Sequence, residues 1–263
     1  MKQQRICIIG DGLAGLTTAV ILSKENIRID IYGSKNEKKQ NLDKRTTAVS
    51  ESNFQYIKNN LNLGNQSLFW PCKKINLFFE DKEKIINFLN LNEKNKNNMF
   101  IFQNKNLKNK LNKIISLKKN IKLIKKNIKD INSENSFIVL DTKKVFYDLV
   151  ILCMGSSSKL YSTIEIGRSI QKNYKEIAIT AVVKHNSNVE NASQYFLKEG
   201  PLAVLPYQKN FFSIVWSVNS NYFKANEKNL QNILEKKLTK LLKMKTIKNI
   251  NDIQSFPINL NLK

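Results

Sequence analysis

The chain has 263 residues with a formal net charge of +23, and apolar residues make up 41% of it. The apolar residues are spread along the whole sequence, which excludes a globally disordered chain and allows a substantial buried core. Nearly all of the positive charge is Lys, with only four Arg residues. Because proteins that read nucleic acid depend heavily on Arg, nucleic acid is not predicted as a partner. A Lys excess from A/T-rich codons and a basic surface suited to an acidic membrane leaflet both stay open.

The first predicted elements are a strand, a glycine turn, a helix and a second strand. Residues 5–9 form a wholly apolar run, typical of a parallel strand that is covered on both faces. A helix is predicted from about Leu13 to Lys24. The segment "NIRIDIYGSK" then alternates apolar with polar residues, which predicts a second strand with one face less buried. Together these elements indicate a βαβ unit with a right-handed crossover.

The next predicted elements are mixed. "TTAVSESNFQYIKNNLNL" predicts a helix capped by Ser50 or Ser52, and "KKINLFFED" predicts a strand. Residues 84–98 are interpreted as an Asn- and Lys-rich excursion. A helical stripe of apolar residues follows at positions 107, 111, 114 and 115. Further strands are predicted in "NIKLIKKNIKDI", "SFIVLD" and "KKVFYDLVILCMG".

The second half of the chain changes character. Alternating or apolar runs predict strands in "IAITAVVKH", "GPLAVLPY" and "FFSIVWSV". A Lys-rich amphipathic helix is predicted near residues 227–243.

Cysteine and histidine are too few and too scattered to suggest metal or nucleophilic chemistry. Cys7, Cys72 and Cys153 show no CxxC spacing, and they are predicted to be reduced core thiols of a cytoplasmic protein. His185 is predicted to be a solvated structural residue rather than a catalytic base. The N-terminal apolar run is too short for a signal peptide, and no segment reaches the roughly 18 apolar residues of a membrane span.

The glycine turn fits the pattern GxGxxG of a dinucleotide-binding strand–turn–helix. Gly10 permits the tight turn, Gly12 lets the backbone approach a pyrophosphate, and Gly15 lets the helix pack on the strand. The helix N-terminus would supply N–H donors and a partial positive charge. An acidic residue that binds ribose is expected about 20 residues further on, and Gly33 stands there. Either a bulge brings Asp30 round to that side, or the ribose contact is lost.

Several separated segments together resemble one family, the FAD-dependent aromatic hydroxylases of ubiquinone biosynthesis, which have the p-hydroxybenzoate hydroxylase fold. The glycine motif and its continuation resemble the segment that binds the ADP half of FAD. "DKRTTAVSESN" resembles the segment whose Arg, here Arg45, lies against the flavin. "FQNKNLKNKL" is similar to the helix whose Asn or Arg, here Asn104, contacts the cofactor. "YDLVILCMGSSSKL" falls at the family's ADGxxSxxR motif, and "GPLAVLPYQKNFFSIVWSV" resembles its substrate-domain hairpin.

The resemblance implies an α/β fold, in which an incomplete FAD-binding, Rossmann-like βαβ domain carries an inserted, mainly antiparallel β-sheet substrate domain. The implied FAD-binding domain comprises residues 1–72 and 98–163, and the substrate domain comprises residues 73–97 and 164–263. The implied reaction is hydroxylation of a prenylated phenol by O₂ through a flavin hydroperoxide, with NAD(P)H as reductant. Such an enzyme needs no catalytic side chain and no metal, and peripheral membrane association is compatible with it.

The resemblance also implies two sets of site residues. The implied cofactor-binding residues are Gly10, Asp11, Gly12, Leu13, Ala14, Gly15, Arg45, Asn104 and Gly155. The implied substrate-pocket residues are Pro201, Leu202, Pro206 and Trp216.

The sequence departs from the family pattern at four places. Gly33 replaces the ribose acid, Met154 replaces the motif's aspartate, and Tyr161 replaces its arginine. The sequence ends at Lys263, before the family's GDAAH and GQG segment, so a C-terminally truncated member is expected. Two alternatives therefore stay open: an inactive, truncated or decayed FAD-binding remnant, and an NAD(P)-dependent dehydrogenase that uses the βαβ unit alone.

Overall fold

The computed structural model describes residues 3–33, 43, 45–63, 68–82, 84–94, 96–132, 134–155, 160, 170–244 and 247–262. Within these residues the helices are α1 (Leu13–Leu22), α2 (Glu51–Leu61), α3 (Asn104–Ser116), α4 (Ser220–Asn226) and α5 (Leu230–Leu242). The strands are β1 (Gln4–Ile9), β2 (Ile27–Gly33), β3 (Thr46–Ser50), β4 (Trp70–Cys72), β5 (Lys74–Asp81), β6 (Lys84–Asn92), β7 (Met99–Gln103), β8 (Ile121–Lys125), β9 (Asp130–Asn132), β10 (Phe137–Leu140), β11 (Lys143–Phe146), β12 (Leu149–Leu152), β13 (Ile170–Lys184), β14 (Ala192–Leu197), β15 (Gly200–Gln208), β16 (Phe211–Asn219) and β17 (Asn249–Leu262).

A four-stranded parallel sheet in the order β12-β1-β2-β8 organises the N-terminal part. On one face Ile8 and Ile31 pack against α1 and α3. On the other face Cys7 and Tyr32 pack against the small antiparallel sheet β11-β10-β9. Both faces are covered, which is why β1 is apolar throughout. The predicted strand, turn, helix and strand are confirmed, but the expected less buried face of β2 is wrong, because Asp30 and Tyr32 on that face are buried under the small sheet.

A second small sheet has the strand order β3-β7-β4. Its first strand, β3, directly precedes α2 in the sequence. The predicted helix is confirmed from Glu51 onward, and the residues before its cap, 46–50, form β3 and pair with β7, a strand that the sequence did not predict. The β-branched Thr46, Thr47 and Val49 favour a strand there. The predicted cap is confirmed, since the Ser50 hydroxyl accepts a hydrogen bond from the Asn53 N–H at 3.4 Å.

The second half of the chain builds a seven-stranded sheet in the order β17-β13-β16-β15-β14-β5-β6. Its neighbouring strands are antiparallel except for the parallel pair of β14 and β5. The helix α5 covers one face, where Leu234 and Leu238 pack with Leu202, Phe212 and Trp216. The predicted fold class, a parallel βαβ unit joined to a mainly antiparallel sheet, is confirmed. The domain boundaries stay a prediction.

The outer edge of this sheet corrects another expectation. Residues 84–92 form the edge strand β6 rather than an excursion without structure. An edge strand is exposed along its length and tolerates polar side chains, so its Asn content does not exclude strand structure. Among the described helices, none is both long and apolar enough to cross a membrane.

Candidate functional site

The glycine turn lies at the carboxyl edge of the parallel sheet. Gly10 has a φ of +118°, and a Cβ there would lie 2.1 Å from the carbonyl oxygen of Cys153 at the end of β12. Its N–H donates to the carbonyl of Tyr32 in β2 at 2.8 Å. A Cβ on Gly15 would lie 1.9 Å from the carbonyl oxygen of Gly10. The turn therefore packs tightly against the ends of β1, β2 and β12 and against α1. Only glycine fits at positions 10 and 15.

Gly12 differs from these two glycines because no described residue crowds it. It is the N-cap residue of α1 with extended backbone, φ −76° and ψ −178°, and a Cβ there would meet no atom of the described residues within 4 Å. The first helical hydrogen bond runs from the N–H of Leu16 to the carbonyl of Gly12 at 3.0 Å. The N–H groups of Leu13, Ala14 and Gly15 precede that bond, and among the described residues no side chain caps the helix. An uncapped helix N-terminus facing open space is suited to an anion.

A carboxylate occupies the corner beside this turn. Asp11 is 5% exposed, and its Oδ2 accepts a hydrogen bond from Lys125 Nζ at 2.8 Å. Lys108 Nζ on α3 lies 4.0 Å from the same oxygen. Burial lowers the pKa of Lys108, although the negative charge of Asp11 opposes that shift. A Cβ on Gly33, the last residue of β2, would lie only 2.5 Å from Asp11 Cγ, so the aspartate side chain fills the space beside that strand end.

Asp30 lies on the opposite face of the sheet, which answers the question that the sequence left open. Strand β2 pairs with β1 in continuous register without a bulge. Asp30 accepts hydrogen bonds from Arg5 Nε at 3.1 Å and from the Tyr147 hydroxyl at 2.8 Å. The Tyr147 and Tyr32 hydroxyls are 2.8 Å apart, and burial raises the pKa of both phenols. Asp30 therefore belongs to a buried network and does not reach the glycine turn.

Arg45 and Asn104 lie side by side where β3 and α3 begin. The Arg45 guanidinium makes a two-pronged ion pair with Asp43, with both N–O distances at 2.7 Å, and stacks 5.0 Å from the ring centre of Phe256. Burial is the largest single influence on the pKa of Asp43 and would raise it, but the hydrogen bonds and charge of Arg45, together with a hydrogen bond from Asn104, outweigh burial and hold that pKa below its ordinary value. The Asn104 N–H donates to the Arg45 carbonyl at 2.9 Å, and Thr47 Oγ1 donates to Asn104 Oδ1 at 2.6 Å.

A cavity of about 200 Å³ separates this corner from the seven-stranded sheet. Hydroxyl groups of Thr46 and Ser213 join its two walls by a hydrogen bond. The lining residues come from the start of β3 and from β13, β16 and β17, and they are Arg45, Thr46, Ala178, Thr180, Ala181, Val182, Ser213, Ile214, Val215, Asp252, Gln254 and Phe256. The cavity is mainly apolar, with a few hydroxyl and charged groups, as small-molecule sites usually are.

The four predicted substrate-pocket residues do not line this cavity. Leu202 and Trp216 are fully buried in the core beneath α5, and the Trp216 Nε1–H donates to the Gly200 carbonyl at 3.3 Å. Pro206 is buried on β15, whereas Pro201 is exposed. Their assignment to a substrate wall stays a prediction that no described contact supports.

Gly155 lies just after β12, at the same sheet edge as the glycine turn. Its φ is +73°, and a Cβ there would meet no atom within 4 Å among the part of the chain that the structure describes. Met154, which stands in place of the family's aspartate, packs partly against the core around Cys7 and Tyr32. Residues 156–158 and Tyr161 lie outside the described residues.

His185, Cys7 and Cys72 lie in the protein core. His185 is fully buried and its ring lies 5.1 Å from that of Phe212, so the prediction of a solvated histidine is wrong. Burial lowers its pKa. Cys7 and Cys72 are buried as predicted, and burial raises the pKa of Cys7 to about 12. A thiol with so high a pKa is a poor nucleophile near neutrality.

Comparison with known proteins gives a clear result only at the level of structure. No protein-family model matches the sequence. No curated protein matches it significantly. The chain superposes on PqsL of Pseudomonas aeruginosa, described as a probable FAD-dependent monooxygenase, with a TM-score of 0.76 and 11% identity over 98% of this chain and 74% of PqsL. PqsL has also been solved in complex with 2-aminobenzoylacetate.

Two further solved structures show the same fold. The p-nitrophenol 4-monooxygenase PnpA of Pseudomonas putida matches with a TM-score of 0.75 and 12% identity, over 98% of this chain and 69% of PnpA. CtdE in complex with FAD matches with a TM-score of 0.62 and 15% identity, over 83% of this chain and 60% of CtdE. The fold is therefore that of the FAD-dependent monooxygenases. At these identities the likeness defines the fold and leaves the activity to be tested.

The sequence motif located the glycine turn but not the side chains around it. Asp11 was assigned only through its place in GxGxxG, and Lys125, Lys108 and Asp43 were not assigned. A signal was present in the sequence, because an Asp within the glycine motif coincides with a Gly at the end of the second strand. Nothing in a linear sequence shows that these two residues, 22 positions apart, touch.

Proposed function

We propose that the chain binds FAD at the carboxyl edge of its parallel sheet and acts as, or as part of, a flavin-dependent monooxygenase of aromatic compounds. The observation that carries this proposal is Gly12, which leaves open space at the uncapped N-terminus of α1. A diphosphate fits this position because the free N–H groups and the helix dipole both favour an anion. The fold supports FAD rather than a nicotinamide dinucleotide as the ligand, since CtdE carries FAD in the same fold.

Bound FAD would supply the activation of O₂ and the transfer of oxygen. The residues of this chain would bind and orient it. Gly12 would admit the diphosphate, and the N–H groups of Leu13 and Ala14 would be its donors. Arg45 lines the cavity and Asn104 is hydrogen-bonded to Arg45, and by resemblance both residues would face the cofactor. NAD(P)H as the reductant is part of the proposal, and it is carried by the resemblance alone.

The cavity beside Arg45 supports a substrate with a single substituted ring. A cavity of about 150 Å³ holds benzene in a protein core, so about 200 Å³ accommodates a ring with small substituents. The hydroxyl groups of Thr46, Thr180 and Ser213 are suited to a phenolic or amino substituent. A prenylated phenol of ubiquinone biosynthesis would place its ring there and its tail outside.

The test is the flavin content of the purified chain, with Gly12→Asp as the matched variant. The wild-type protein should show flavin absorbance, or bind added FAD in a calorimetric titration. The Asp side chain at position 12 has room and a permitted backbone conformation, and it is a better N-cap than Gly by a few tenths of a kcal/mol. The variant should therefore keep its thermal stability and lose FAD binding, because its carboxylate occupies and repels the diphosphate position.

A colourless wild-type protein that binds no FAD would contradict the proposal and favour an inactive remnant. Turnover that depends on a nicotinamide cofactor without FAD would favour the dehydrogenase. A Gly12→Asp variant that binds FAD as well as the wild type would show that the diphosphate lies elsewhere.

The outer face of β5, β6 and β14 supports the association with an anionic membrane that the sequence left open. Phe79, Phe88 and Phe196 are 38%, 51% and 48% exposed, and their ring centres follow one another at 5.9 and 6.0 Å. Exposed lysines adjoin the same strands in the chain, namely Lys82, Lys84, Lys94, Lys96 and Lys198. An apolar patch on strands that are flanked in sequence by lysines is suited to an anionic bilayer, whereas two copies of a chain with a net charge of +23 repel each other.

Vesicle sedimentation tests this surface. Wild-type protein should sediment with vesicles that contain phosphatidylglycerol and stay in solution with pure phosphatidylcholine. Phe88→Ser should weaken sedimentation several-fold, and Tyr56→Ser, at an exposed aromatic residue on α2, should not. Equal sedimentation of Phe88→Ser and the wild type would contradict the role of this patch, as would a dimer that buries it.

A further inference from the structure

The corner between Asp11 and Gly33 carries an inference that rests on the proposed nucleotide binding. In a dinucleotide-binding βαβ unit, an acidic side chain at the end of the second strand accepts a hydrogen bond from the ribose. This chain has Gly33 at that place. We propose that Asp11, inside the glycine motif, is the residue that binds a ribose hydroxyl of the ADP half.

The first support is the volume that the Asp11 side chain occupies. A Cβ added to Gly33 would lie 2.5 Å from both Asp11 Cγ and Oδ2, and 3.0 Å from Asp11 Cβ. The carboxylate therefore stands where the first atoms of a side chain at position 33 would stand. The acidic group is present at the strand end, but it is supplied from the glycine turn instead of from β2.

The second support is the setting of that carboxylate. Lys125 is the direct neighbour of Gly33 across the pair of β2 and β8, and its ammonium lies 2.8 Å from Asp11 Oδ2. Lys108 approaches from α3 at 4.0 Å. These charges offset the cost of burying a carboxylate and hold it in one orientation.

The third support is that the neighbouring acid is committed elsewhere. Asp30 lies on the other face of β2 and accepts hydrogen bonds from Arg5 and Tyr147. The absence of a bulge in β2 keeps it there. Among the described residues, Asp11 is thus a carboxylate that lies between the glycine turn and the end of β2.

Two probes test the proposal by calorimetry, ADP and 2′,3′-dideoxy-ADP, which differ only in the ribose hydroxyls. The wild-type protein should bind ADP about tenfold or more tightly than the dideoxy compound, as expected for a hydrogen bond to a charged acceptor. In Asp11→Gly the two affinities should become equal through loss of ADP affinity. In Asp11→Asn, which keeps the shape and one neutral acceptor, the preference should be intermediate.

The double variant Asp11→Gly/Gly33→Glu moves the acid back to the strand and should restore the preference for ADP. Equal binding of both probes by the wild type would overturn the inference alone, and so would an undiminished preference in Asp11→Gly. Failure of the wild type to bind either probe would overturn the proposed function and this inference with it.

Discussion

Two aspartates lie on neighbouring parts of the same sheet and have opposite surroundings. Asp30 points from the middle of β2 into a closed network with Arg5 and Tyr147. Asp11 lies at the carboxyl edge, next to a glycine that leaves it room and to two lysines. The difference shows that the position of an acid relative to the sheet decides its role. An acid inside a covered face has a structural role, whereas one at the carboxyl edge lies where a ligand would bind. Sequence distance from the glycine motif alone does not decide this.

The largest expected effect comes from breaking the Asp30 network. Asp30→Ala removes the acceptor of Arg5 and of the buried Tyr147 hydroxyl, so the free energy of unfolding should fall by about 2–4 kcal/mol. Urea unfolding monitored by circular dichroism measures it. Affinity for ADP in the folded variant should stay within about twofold of the wild type. A large loss of ADP affinity at unchanged stability would show that Asp30 is the ligand-binding acid after all.

A smaller effect is expected from filling the corner at Gly33. Gly33→Ala places a methyl group against Asp11, which should cost about 1–3 kcal/mol of stability and displace the carboxylate. The same change in an Asp11→Gly background should cost less, because the clashing atoms are gone. The coupling between the two positions is read from a double-mutant cycle in urea. Additive effects would contradict the contact between them.

The smallest expected effect is on the pH dependence of stability and comes from His185. Like Asp30, His185 is a buried titratable residue, and it directly follows β13 of the seven-stranded sheet. Burial lowers its pKa, so below about pH 6.5 the unfolded chain binds a proton that the folded chain does not. As the pH falls below about 6.5, the free energy of unfolding should therefore decrease. The contribution of this residue to that decrease is at most about 1.4 kcal/mol per pH unit. His185→Leu should flatten that part of the stability profile. An unchanged slope in the variant would assign the pH dependence to other groups.

Much of the fold follows from local sequence patterns. The glycine turn, the parallel strands on either side of α1 and the apolar face of α3 at Leu107, Leu111 and Ile115 are as predicted. The errors arose where tertiary pairing overrides local appearance. The strand from Thr46 to Ser50 pairs with β7 and has no counterpart among the predicted elements, and the Asn-rich segment 84–92 is an edge strand. The polar His185 was expected in solvent, yet it closes a strand end against Phe212.

The candidate site was predictable only in its backbone part. GxGxxG fixes where the diphosphate would lie, because glycine is required at positions 10 and 15 by the close approach of other backbone atoms. The contact of Asp11 with Gly33 and Lys125 depends on how three strand ends come together. Neither hydrophobic periodicity nor motif spacing carries that information. The cavity beside Arg45 likewise depends on how the seven-stranded sheet lies against β3.

The bare start of α1 has a consequence for how the molecule holds together. At α2 the Ser50 side chain completes the helix, but at α1 the described residues provide no such group. A diphosphate at Gly12 would accept hydrogen bonds from the first N–H groups of α1, so the ligand would stabilise the fold as well as take part in the reaction. Such a protein gains stability in proportion to the logarithm of ligand concentration, about 2.7 kcal/mol at one hundred times the dissociation constant. Cofactor supply would then govern how long the chain survives as well as what it does.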